Sequence, residues 1–214
     1  MQTFCSGVIS STIKSSGNCL IVPAENLTNS FILENFINIL MTIKVLRLGH
    51  RKKRDPRLTT HVCLSARALG ADEVFVSGEQ DDSTINSVKT VAQRWGGKFK
   101  ISYEKSWRKI ITALKKKNYA IVHLTMYGMP VQKQIRKIRK HKKLLVVVGS
   151  EKVPGEVYHS ADYNVSVTSQ PHSEVAALSV FLHEYFKGKE LEKKFKGKIK
   201  VLPQEHGKKV LRKD

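Results

Sequence analysis

Acidic side chains are the first scarcity in this chain. Its 214 residues hold 18 Asp and Glu against 38 Lys and Arg, a formal charge of +20. An excess of that size points to a polyanionic partner, and nucleic acid rewards clustered Lys and Arg most directly. A solvated, lysine-rich surface is the bland alternative. Cysteine is scarce as well. Cys5, Cys19 and Cys63 form no metal-ligand spacing and cannot all pair, so the expectation is a reduced, cytoplasmic protein without a metal. No run of about 18 apolar residues occurs, so nothing reads as membrane-spanning. Neither GxGxxG after the first strand nor GxxxxGK[ST] anywhere is present, which removes support for ordinary dinucleotide and P-loop chemistry. With 41% hydrophobic residues the chain can still build a proper core, as one domain with or without appendages.

The first forty residues differ from the rest. They carry one cation, Lys14, against Glu25 and Glu34, and are rich in Ser, Asn and Thr without a clean period. No basic region followed by an apolar stretch opens them, so a signal peptide fits poorly. Residues 1–40 read as an atypical extension, with Met41 expected as the natural start. Residues 41–187 form the main domain, and 188–214 a basic tail packing on it or extending it.

From Ile43 strands and helices alternate. Strands are expected at Ile43–Leu48, Glu73–Ser77, Phe99–Tyr103, Tyr119–Thr125, Lys143–Val148 and from Tyr163, with a strand-like KIKVL at Lys198–Leu202. Helices are expected at Thr59–Leu69, Asp82–Trp95, Trp107–Lys117, Val131–His141 and from Ser173 to Phe186. GHRKKRDPRL, Gly49–Leu58, reads as a very basic loop. This alternation implies an α/β fold with a mainly parallel sheet flanked by helices. Ligands of such sheets bind beyond the carboxyl ends of the strands. Three of those ends are chemically unusual here: HLTMYG (123–128), GSEKVPG (149–155) and TSQPHSE (168–174). In the last, Ser173 is a good N-cap, and Glu174 sits where a helix dipole favours an acid.

Together RLGHRKKRDPRLTTH, HLTMYG, VGSEKVP and SQPHSEVAAL resemble, in order and spacing, the archaeal tRNA cytidine-56 2′-O-methyltransferases of the SPOUT class, over about Lys44 to Val210. The resemblance implies a homodimeric enzyme with a C-terminal trefoil knot. It would transfer a methyl group from S-adenosylmethionine to the ribose 2′-OH of a T-loop cytidine in tRNA. It also implies a cofactor pocket of three loops. Leu124 lies on the first, and Gly149, Ser150, Glu151, Lys152 and Val153 form the second. Val167, Thr168, Ser169, Gln170, Pro171, His172, Ser173 and Glu174 form the third. Related enzymes point to an arginine near the first motif for handling the hydroxyl. Arg57 is the first choice, with Arg47, Arg54 and His61 as alternatives. Orienting a phosphate or hydroxyl suits a charged guanidinium better than acting as a base.

Arg51, Lys52, Lys53 and Arg54 are the expected tRNA contacts, since dense positive charge beside a site edge favours phosphate binding. For the cations of the 131–141 helix, RNA contact and a solvated outer face weigh equally. Trp107 and Tyr127 read as core or interface rather than base-stacking platforms, and Cys63 as a small buried helix residue. A non-catalytic RNA-binding protein is the rival class, but it leaves the three specialised loops unexplained. A methyltransferase with another RNA target would keep the cofactor and change the substrate.

Overall fold

The computed structural model describes residues 12–15, 18–21, 41–150 and 152–213. Met1–Met41 and Thr42–Asp214 form separate compact units. In the first, β1 (Thr12–Ser15) and β2 (Asn18–Ile21) pair antiparallel.

The second unit alternates β3 (Thr42–His50), α1 (Pro56–Ala68), β4 (Glu73–Gly78), α2 (Asp82–Trp95), β5 (Lys100–Tyr103), α3 (Trp107–Lys115), β6 (Ala120–Pro130), α4 (Val131–Ile138), β7 (Lys143–Val148), α5 (Gly155–Ser160), β8 (Tyr163–Ser166) and α6 (Glu174–Phe186). The six strands β3 to β8 make one sheet, ordered β5-β4-β3-β7-β6-β8, in which every neighbouring pair is parallel. The mainly parallel sheet expected from the alternating pattern is therefore present. The chain lays down β3, β4 and β5 outward, returns to β6, and inserts β7 between β3 and β6. Leu144 to Val148 are fully buried, as a central strand covered on both faces requires.

Side chains alternate across a strand, so each strand serves two cores. Leu46, Leu48, Ile121, Leu145 and Val147 pack with Ile110, Ile111 and Leu114 of α3 and Val157 of α5. On the other face α6 packs against both α1 and α4. Phe181 and Leu182 of α6 are fully buried, as is Cys63 of α1, whose thiol is pushed up to about 12 by burial. Asp81 caps α2 by accepting from the N–H groups of Ser83 and Thr84, and Ser173 caps α6 by accepting from the Ala176 N–H.

Element boundaries differ from the expected ones where local chemistry intervenes. Helix α1 starts at Pro56 rather than Thr59, because proline is suited to a first helical position. The basic loop is correspondingly shorter. Helix α5 has no counterpart among the expected elements, since six residues with one buried apolar side chain show no period. The tail forms a 3-10 turn (Lys189–Glu192) and an antiparallel hairpin of β9 (Ile199–Leu202) with β10 (Lys209–Arg212). Among the described residues no helix is long and apolar enough to cross a membrane.

Candidate active site

The carboxyl ends of β6, β7 and β8 enclose a cavity of about 320 Å³. Parallel pairing aligns Leu124 with Val148 on one side and Val165 on the other. The β6–β8 register then jumps, so that Met129 also lies opposite Val165. Residues 125–128 are pushed out of the ladder, and Thr125, Met126 and Tyr127 thereby line the cavity. Gly149, Ser150 and Val153 come from the loop after β7, and Val167, Gln170, Pro171, His172 and Glu174 from the segment after β8.

Of the expected second and third loops, Lys152 faces a neighbouring cleft instead. Thr168, Ser169 and Ser173 are exposed. Two of them serve local structure: the Thr168 Oγ1 accepts from the Gln170 N–H at 3.2 Å, and Ser173 caps α6. Glu151 lies outside the described residues. Gly149 is required by a close approach, because a Cβ there would collide with the Val153 side chain. Tyr127 is not core: it is 79% exposed at the cavity wall, carried outward by the β6 bulge. Trp107 is partly buried against the core.

Beneath the cavity is a buried polar group that sequence reasoning missed. The His123 imidazole is fully buried, and its Nδ1 lies 2.9 Å from the Asn164 Oδ1. The Asn164 Nδ2 donates to the Tyr158 carbonyl at 2.9 Å, which fixes the amide so that its oxygen faces His123. Nδ1 therefore carries the proton and Nε2 the lone pair. The Tyr158 ring stands edge-on to the imidazole at 4.7 Å, and its hydroxyl lies 3.2 Å from the Thr125 Oγ1. Burial pushes the His123 pKa down, outweighing the hydrogen bond to Asn164.

Arg47 ties the loops together from behind. It is wholly buried at the end of β3, where its Nη1 donates to the carbonyl oxygen of Gly149 at 2.5 Å and of Leu48 at 3.3 Å. The same nitrogen lies 3.8 Å from the Glu174 carboxylate. Nε and Nη2 have no partner among the described atoms. Burial pushes the Arg47 pKa down and Glu174 opposes that shift.

A wider cleft of about 650 Å³ adjoins at the ends of β3 and β4, lined by Gly49, His50, Arg51, Arg54, Gly78, Glu79, Ser150 and Lys152. Ser150 lines both spaces. Gly49 has φ +72° and a Cβ there would lie 3.2 Å from the Ser150 Cβ, so this junction favours glycine in conformation and in space. His50 is buried, its Nδ1 2.8 Å from the Thr59 Oγ1 and its Nε2 3.4 Å from the Asp81 carboxylate. Hydrogen bonds, the Ser83 hydroxyl's foremost, hold the Asp81 pKa well below the usual carboxylate range. Of the candidate catalytic residues, Arg54 lines this cleft and Arg47 sits behind the loops. Arg57 and His61 are exposed on α1 and line neither space. Lys52 and Lys53 are exposed on the basic loop. No group of three or more His, Cys, Asp or Glu among the described residues could hold a metal.

The family model described as tRNA ribose 2′-O-methyltransferase, aTrm56, matches residues 95–211, more than half of the chain. The chain belongs to this family. It is 52% identical over 169 residues to the tRNA (cytidine(56)-2′-O)-methyltransferase of Methanopyrus kandleri, covering 78% of this chain and 95% of that protein. Identity to the enzyme of the same description from Thermococcus kodakarensis is 53% over 174 residues, covering 79% and 96%. Among solved structures, the SpoU methyltransferase AviRb from Streptomyces viridochromogenes, in complex with the cofactor AdoMet, matches with a TM-score of 0.54 at 15% identity. That match covers 70% of this chain but only 58% of AviRb, and it establishes the fold.

The lowered His123 pKa has a consequence for stability. Because the folded value lies below the ordinary 6.5, the unfolded chain binds the proton more readily. The stabilisation is complete above that ordinary value and is lost as pH falls below it. Thermal unfolding between pH 7.5 and pH 5 should show a falling Tm, and His123→Asn should flatten that slope. An unchanged slope in the variant would show that His123 is not the group responsible.

Proposed function

We propose that this chain methylates the ribose 2′-OH of a tRNA cytidine, at the position 56 named for its relatives, with S-adenosylmethionine as donor. The observation that carries the reading is the site itself: a cofactor-sized cavity and a cationic cleft that meet at Ser150. The cavity suits the donor. Its volume falls within the ordinary range for small-molecule sites. Leu124, Val148, Val165 and Val167 offer an apolar wall for adenine, Gln170 and the loop backbones polar groups for its edge, and Glu174 a carboxylate for the ammonium. S-adenosylmethionine supplies a methyl group carried on a sulfonium sulfur. A ribose hydroxyl is a weak nucleophile near neutral pH, so the chain must align it and ease the loss of its proton. Among the four candidates, Arg54 is the one whose side chain lines the cleft beside the cavity, and we assign it that orienting role. Arg51, Lys52, Lys53 and Arg54 form the phosphate-binding edge.

A homodimer and a cytoplasmic location complete this reading. The outward side of α6, with Val180 42% exposed and Ala176 exposed, supports the dimer.

Two measurements test the proposal. Labelled S-adenosylmethionine with an unmodified tRNA transcript should give label mapped to cytidine 56, and none on a transcript carrying 2′-deoxycytidine there. Label on both would move the target, and label on neither would remove the activity. Replacing Arg51, Lys52, Lys53 and Arg54 by Ala should weaken tRNA binding and lower its log–log salt slope by about one for each phosphate that is no longer neutralised. An unchanged slope would place the RNA elsewhere.

A further inference from the structure

The cleft beside the cavity is not uniformly cationic. Glu79 stands in its wall among Arg51, Arg54 and Lys152, the one acid among the described lining residues. Its Oε2 accepts the Lys52 N–H at 2.7 Å, which fixes the carboxylate against the basic loop while leaving it exposed. A cleft that held only phosphate would be harmed by this charge, because a carboxylate repels an anion. The acceptor ribose must sit where cavity and cleft meet, at Gly49 and Ser150, so its base has the cleft to occupy. Cytosine and uracil differ there in a way a carboxylate can read. Cytosine presents an N4 amino group, a donor; uracil presents O4, an acceptor that a carboxylate repels.

On the proposed tRNA methylation, we infer that Glu79 is a specificity-determining residue that selects cytidine by accepting a hydrogen bond from the base's exocyclic amine. Lys152, on the same cleft, is a donor suited to the acceptors N3 or O2 of that base. The selection then has an attractive part for cytosine and a repulsive part for uracil.

The test compares kcat/KM for transcripts bearing cytidine or uridine at position 56, with the wild-type chain, Glu79→Gln and Glu79→Ala, each checked for folding by circular dichroism. Glutamine keeps an oxygen for the Lys52 N–H yet can turn its amide to donate to O4. Glu79→Gln should therefore cut the cytidine-over-uridine preference by about ten- to a hundredfold. Glu79→Ala should lower the rate on cytidine more than on uridine. Equal losses on both transcripts would make Glu79 a support of the basic loop only, and equal gains would make the cleft a phosphate site; either overturns the inference. Wild-type activity on the cytidine transcript with an unaltered preference in both variants overturns it while leaving the methylation reading standing. A wild-type chain inactive on both transcripts removes the methylation reading and this inference together.

Discussion

A single buried guanidinium holds the site in register. Arg47 leaves β3 on the face that α6 covers, and reaches the Gly149 carbonyl after β7 and the Glu174 carboxylate at the start of α6. Three segments that are far apart in sequence thus share one charged donor. Burying an unpaired cation is costly, so the arrangement persists only because carbonyl and carboxylate both face it. Its remaining donors lack partners among the described atoms, which makes the loops around Arg47 sensitive to any change in charge nearby.

From that fixed point the division of labour follows. The β6 bulge and the loops after β7 and β8 shape a mixed apolar and polar cavity, while the basic loop and the end of β4 shape a wider, charged cleft. Ser150 belongs to both, and the close approach of Gly49 keeps that border thin. On the proposed reading the cavity takes the methyl donor and the cationic cleft the RNA, with a short border between them for the transfer. The +20 charge of the chain has a local meaning here, since Arg51, Arg54 and Lys152 gather at the cleft.

Much of this was legible in the residues. The near-continuous apolar run Leu144–Val148 marked the central strand, and Ser173 with Glu174 marked the start of α6; both stand as expected. The three unusual strand ends did converge on one cavity. What escaped were features whose cause is tertiary. HLTMYG stands out in the sequence, but the bulge that carries Tyr127 outward does not, because a bulge is set by the partner strand β8 rather than by local pattern. His123 looked like one more residue of a buried strand, and only Asn164 and Tyr158, far along the chain, reveal its fixed tautomer. Arg47 was one of several arginines in a basic stretch. Its burial is set by the sheet around it: β3 lies between β4 and β7 with both faces covered, so Arg47 is enclosed while Arg51 and Arg54, beyond the strand end, line the cleft.

Arg47 holds the loop after β7 and the start of α6 from behind the cavity, and on the proposed reading this sets the cofactor's affinity. Calorimetric titration of S-adenosylmethionine into Arg47→Lys and Arg47→Met chains of verified fold tests it most directly. Lysine lacks the planar fork and should bind the cofactor at least about tenfold more weakly, with methionine worse still. Wild-type affinity in a folded Arg47→Met chain would show that the cavity takes its shape without Arg47.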